Sequence, residues 1–109
     1  MQKYWPGFAL WDPWVSRHVT FRDLTAQRSG LPGLAGDELE QFGYGRLEIL
    51  RRLRYLAPVA GFRTAYANQN ALPTAAAEGA SRAIGDSWEK LVRARVLAPL
   101  GMDATVTDA

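Results

Sequence analysis

Cysteine is absent from these 109 residues, and histidine occurs once, as His18. The first absence excludes a disulfide framework, a thiol nucleophile and every cysteine-ligated zinc or iron–sulfur site. The second leaves little for histidine-ligated metal chemistry or a Ser-His-Asp triad. Lysine is scarce too: Lys3 and Lys90 stand against 13 basic residues in all, the rest being arginine. The net charge is only +2 and the signs are interleaved, so a nucleic-acid partner is not expected. No apolar run is long enough to cross a bilayer, and none precedes Asp12 and Pro13, so the N-terminus does not read as a secretory signal. Hydrophobic residues at 48% and charged residues at 22% fit one soluble globular domain. The compartment stays open.

Residues 1–19 hold three of the four tryptophans, with Pro6, Gly7 and Pro13 among them. Prolines at that spacing break helices, so this stretch reads as an extended aromatic arm. Its rings need a surface to pack on. That surface is either the chain's own helices or one outside it, and self-association through Trp5, Trp11 and Trp14 is one expectation.

Residues 20–105 read as helical. Thr20-Phe21-Arg22-Asp23 fits a capping box, and Gly30 with Pro32 closes the short helix behind it. Residues 31–45 carry four glycines and the acids Asp37, Glu38 and Glu40, a loop with room for one helical turn. Leu47, Leu50, Leu53 and Leu56 recur every third residue and predict an amphipathic helix over 46–57, with Glu48 set to pair with Arg52. Residues 61–73 form a polar loop, and an alanine-rich helix spans 74–84, weakened by Gly79 and stopped by Gly85. A last helix starts at Asp86 or Ser87, carries Trp88, Leu91, Val92 and Val96 on one stripe, and pairs Glu89 with Arg93. Residues 104–109 have no pattern.

Chemistry is sparse. None of Ser16, Ser29, Ser81 and Ser87 lies in a Gly-x-Ser-x-Gly elbow. Ser87-Trp88-Glu89-Lys90 matches Ser-x-x-Lys, but a serine after Gly85-Asp86 at a helix start is more simply a cap. Asp37, Glu38 and Glu40 lack the order of a calcium loop, so they read as a solvated loop, and no metal or cofactor is expected.

Read together, four segments resemble one family. Val19-Thr20-Phe21-Arg22-Asp23-Leu24 with Arg28-Ser29-Gly30-Leu31-Pro32 is similar to the "T-x-R-D-L-L-x-H-x-S-G-L-P" stretch of the class C β-lactamase-like serine hydrolases. That family includes D-alanyl-D-alanine carboxypeptidases and β-lactamase-like esterases. Gly61-Phe62-Arg63 with Tyr66-Ala67-Asn68 resembles its "G-x-x-F-x-Y-x-N" region. Gly85-Asp86-Ser87-Trp88 and then Leu97-Ala98-Pro99-Leu100-Gly101-Met102 resemble its "G-x-S-W … x-P-L-G-M" ending. The order is the family's own, from about Trp5 to Thr105. Departures occur: Thr25 and Gln27 replace a leucine and a histidine, Ala77 stands where a glycine is usual, and Pro73 falls near the start of a helix.

The resemblance implies a mainly α segment, a partial helical subdomain of the α+β serine β-lactamase and penicillin-binding-protein-like fold with the central sheet largely absent. Residues 1–109 would be one segment of that domain. The family's site has three parts: a Ser-x-x-Lys helix, a Tyr-x-Asn loop and a Lys/His-Ser/Thr-Gly strand. Only the middle part falls within residues 1–109, so this chain is expected to be inactive alone. The full-length parent would take a small-molecule acyl substrate, and a non-catalytic helical interaction module of the same ancestry is the alternative. Two registers fit the loop. In one, Tyr66 relays the serine's proton and Asn68 orients lysine and substrate. In the other, counted back without gaps from Gly85, Asn68-Gln69-Asn70 stands over Tyr-Gln-Asn, with Asn70 toward the substrate and an amide where the phenol belongs.

Overall fold

A computed structural model describes residues 1–107 of the chain. Helices joined by loops make up the ordered elements, and no strand occurs among the described residues. The mainly α expectation is met.

Local chemistry starts each helix. Asp12 Oδ1 accepts from the N–H groups of Trp14 (2.7 Å) and Val15 (3.3 Å), and Pro13 takes the first position of α1, Pro13–His18. Part of the arm expected to be extended is therefore helical. A proline at the first helical position opens a helix, since its missing N–H has no partner to lose there. Thr20 and Asp23 form the complete capping box of α2, Phe21–Thr25. The turn allowed for in the 31–45 loop is α3, Asp37–Gln41.

Leucine periodicity overstates α4, which spans Arg46–Arg52 and then tightens into a 3₁₀ turn over Leu53–Tyr55. Glu48 and Arg52 pair at 2.9 Å, and the Arg52 guanidinium lies 4.6 Å from the centre of the Tyr44 ring. α5 spans Ala71–Ile84, three residues longer at its start than expected. Pro73 is accommodated because the first turn of a helix lacks intrahelical acceptors for its N–H groups. Gly85, at φ +82°, stops α5 as expected. α6, Trp88–Val92, is capped by Ser87 Oγ, which accepts from the Lys90 N–H at 3.3 Å. It runs on as a π turn over Arg93–Leu97 and a 3₁₀ turn over Ala98–Leu100. Glu89 does not pair with Arg93: its carboxylate reaches Arg46 at 2.9 Å and ties α6 to α4. Of the unpatterned tail 104–109, the last two positions lie outside the described residues.

The core gathers around α5. Leu72, Ala75 and Ala76 share one buried cluster with Leu24 of α2, Leu50 and Leu53 of the α4 region, and Trp5, Phe8 and Leu10 of the N-terminal segment. Trp5 thus covers the chain's own helices, with Arg82 of α5 4.7 Å from its ring centre. Its burial removes it from the surface expected to self-associate. Trp11 and Trp14 stay 55% and 51% exposed. Trp14 stacks on His18 at 4.0 Å and meets Phe62 edge-on at 6.2 Å. The radius of gyration is 14.6 Å, above the ~13 Å of a compact domain of this length. Much apolar surface is left outside.

Where α2 packs on α5, Gly79 lies against the Phe21 ring and the Met1 side chain. A Cβ there would overlap the Met1 thioether and the edge of the Phe21 ring. The glycine that weakens the isolated helix is what lets the layers meet. Gly79→Ala is therefore expected to lower the melting temperature although alanine is the better helix former by ~1 kcal/mol. Gly79→Val should lower it further. Thermal unfolding followed by circular dichroism checks both signs.

Candidate functional site

The loop 61–70 is clasped onto the segment 27–37. The Arg63 N–H donates to the Arg28 carbonyl (2.9 Å), the Ala67 N–H to Gln27 (3.2 Å), and the Leu34 N–H back to Asn68 (2.7 Å). The Arg28 guanidinium closes the first of these contacts by donating to the Arg63 carbonyl. Gln69, only 1% exposed, fastens the far end. Its amide donates to the carbonyls of Leu31 (2.8 Å) and Pro32 (2.7 Å), and its N–H donates to Gln27 Oε1 at 2.7 Å. Gly30 holds the near side at φ +90°, its carbonyl accepting from Val59 (2.9 Å) and Ala60 (3.2 Å). A Cβ at Gly30 would collide with the Ala60 carbonyl, which is why the Ser-Gly-Leu-Pro turn needs glycine here.

One ion pair governs this seam. Arg63 Nε and Nη2 donate to Asp23 Oδ1 and Oδ2, each at 2.9 Å, in the planar fork that guanidinium and carboxylate share. Asp23 is buried, and it also accepts from the Thr20 N–H (2.9 Å) and Thr20 hydroxyl (2.7 Å). The Arg63 hydrogen bonds hold its carboxyl well below the usual carboxylate range, against burial, which pushes the other way. Arg63 itself has φ +66°, and the other non-glycine residues with positive φ, Gln27 (+55°) and Leu34 (+59°), lie in the same seam. Backbone strain concentrated at one place persists only where neighbouring bonds over-determine it.

Of the residues named from sequence, the structure brings Tyr66 and Asn68 together and sets Asn70 apart. Tyr66 is 65% exposed, and its hydroxyl lies 3.4 Å from Asn68 Oδ1, a long contact. Asn70, the residue before α5, donates from Nδ2 to Asp37 Oδ2 at 2.7 Å and lines a trough beside α5. Sequence reasoning missed Asp23, Arg63, Gln27 and Gln69 as positioning residues. Their partners lie about 40 residues away, and the only local signal was that the turn at Gly30 and Pro32 leaves carbonyls in need of donors.

The serines are all engaged structurally. The buried Ser16 hydroxyl accepts from the Leu10 N–H (2.9 Å) and donates to the Asp12 carbonyl (2.8 Å), and buried Ser29 accepts from the Leu31 N–H at 3.2 Å. Ser81 donates to the Ala77 carbonyl at 2.9 Å. Ser87 caps α6, and Lys90 Nζ lies 3.6 Å from Asp86 rather than serving Ser87 as a base. Among the described residues no group of histidines and carboxylates could hold a metal ion.

The described residues form a helical segment whose loop 61–70 is clasped onto 27–37. The family model described as Beta-lactamase matches residues 1–109, and the chain belongs to that family. Small-molecule substrates are what this family implies, and no helix among the described residues is long and apolar enough to cross a membrane. Comparisons with curated proteins and with solved structures gave no match.

Asp23→Asn should destabilise the chain by about 2–3 kcal/mol, from a weakened cap and a lost charge-assisted fork. Because the folded-state acidity of Asp23 is the stronger, its contribution is complete above the ordinary carboxylate value of 3.8 and is lost as pH falls below it. Urea titrations of both proteins across that range should converge at low pH.

Proposed function

We propose that this chain is the middle segment of a serine hydrolase that works by acyl transfer on a lactam, ester or peptide, and that alone it does not turn over substrate. The observation that carries this reading is the clasped loop presenting Tyr66 beside Asn68. A phenol and an amide side by side on a rigid loop suit a proton relay and an amide anchor for an acylated serine. The engaged serines support the second half of the reading: acyl transfer needs nucleophile, base and oxyanion donors together, and only the relay is here. The contact between Tyr66 and Asn68 favours the register in which they act as the pair. Asn70, turned toward Asp37, would contact substrate only from the trough side.

The test has two arms. The 109-residue chain should leave a chromogenic cephalosporin and a nitrophenyl ester unhydrolysed. Saturable turnover abolished by Ser87→Ala would overturn the reading. In a longer chain carrying a Ser-x-x-Lys helix and a Lys/His-x-Gly strand, Tyr66→Phe should lower kcat by about 10²–10⁴-fold with KM little changed, the usual weight of a general base. If Asn68→Ala does so while Tyr66→Phe does not, the gap-free register is the correct one.

A further inference from the structure

A trough of about 900 Å³ runs along α5. Pro73, Ala76, Ala77 and Ala80 form its floor, and their i, i+3, i+4, i+7 spacing puts them on one helix face, where short side chains allow another helix to approach closely. Ile49 and Trp88 stand in its wall, and Asp37 and Glu40 lie on its rim. Of the charges around it, Glu78 is paired with Arg46 (3.9 Å) and Arg82 (3.0 Å), and Arg46 also with Glu89. Asp37 and Glu40 enter no ion pair among the described residues, so the rim is left negative.

The same chain carries a surface of complementary form. Val92, Val96 and Leu100 recur every fourth residue along α6 and its continuation, with Val96 46% and Leu100 67% exposed. Arg93 and Arg95 flank that stripe, and neither enters an ion pair among the described residues. Val96 and Leu100 do not line their own trough. An apolar, basic helix and an apolar, acid-rimmed groove carried by one chain are the two halves of a head-to-tail contact.

We propose that the α5 trough receives the Val92–Leu100 stripe of a second copy of this chain, with Arg93 and Arg95 of the incoming helix meeting Asp37 and Glu40 on the rim. The contact is heterologous, so it leaves one trough and one helix free and can add further copies. It also moves self-association away from the tryptophan arm, where Trp5 is buried.

Sedimentation velocity over a concentration series tests it. The chain should shift from monomer to larger species as concentration rises, and added salt should reverse the shift because Glu40, Arg93 and Arg95 are exposed. Glu40→Lys and Arg95→Glu, both at exposed positions, should each raise the apparent dissociation constant about tenfold, and the double variant should recover most of the loss. Ala77→Arg fills the trough and Val96→Glu spoils the stripe. Each alone should stay monomeric, and an equal mixture should form a dimer and stop there. Monomer at every concentration, association unmoved by Ala77→Arg or Val96→Glu, or a double charge reversal no better than the single ones would overturn the proposal. Circular dichroism melts confirm that each variant is folded, and the surface charge variants decide the matter if Ala77→Arg is not.

Discussion

The carboxylate of Asp23 is shared between two tasks that would otherwise be unrelated. It completes the N-terminal cap of α2, and it receives both arms of the Arg63 guanidinium. Because Asp23 sits on a helix that packs against α5, the fork gives the loop 61–70 a fixed point on the core. Arg63 is held in the left-handed region, which turns the chain so that the residues after it run alongside 27–34. The contacts made by Ala67, Asn68 and Gln69 follow from that turn. The bidentate fork to a buried carboxylate and the backbone hydrogen bonds on either side of it together hold Arg63 in that conformation.

Small residues set the second constraint. Gly79 admits α2 and the Met1 side chain on one face of α5, while the alanines on another face keep a trough open. Alanine contributes little apolar area to a core, so α5 stabilises the fold by letting larger neighbours come close, not by filling space itself. The chain accordingly keeps a buried cluster on one side and exposed Trp11, Trp14 and Leu100 elsewhere. That distribution suits a polypeptide that meets other surfaces.

For the chemistry, the family relationship supports a β-lactamase-related hydrolase. The described residues hold a loop clasped onto 27–37 that carries a phenol and amides, and four serines committed to capping and backbone contacts. The Ser87–Lys90 spacing shows the limit of motif matching. At a helix start the same pattern yields a cap and an ion pair with Asp86, because free backbone N–H groups compete for the serine oxygen.

Short-range features were legible in the sequence: the Thr20–Asp23 capping box, Gly85 as a helix stop, Ser87 as a cap and the Glu48–Arg52 pair. Each rests on residues within four positions of one another, where helix geometry alone sets the distances. Position relative to the turn decided the misreadings. Pro13 opens α1, Pro73 fits inside the first turn of α5, and the leucines after Arg52 continue in a 3₁₀ turn. Sequence also carried the family and the segment in which Tyr66, Asn68 and Asn70 lie. Only the tertiary structure decided that Asp23 meets Arg63, that Gln69 is buried in the seam, that Glu89 reaches Arg46 and that Asn70 faces Asp37. These contacts join residues some 33–43 positions apart, and no local periodicity encodes them. They are set by how α2, α4 and α6 pack around one alanine-rich helix.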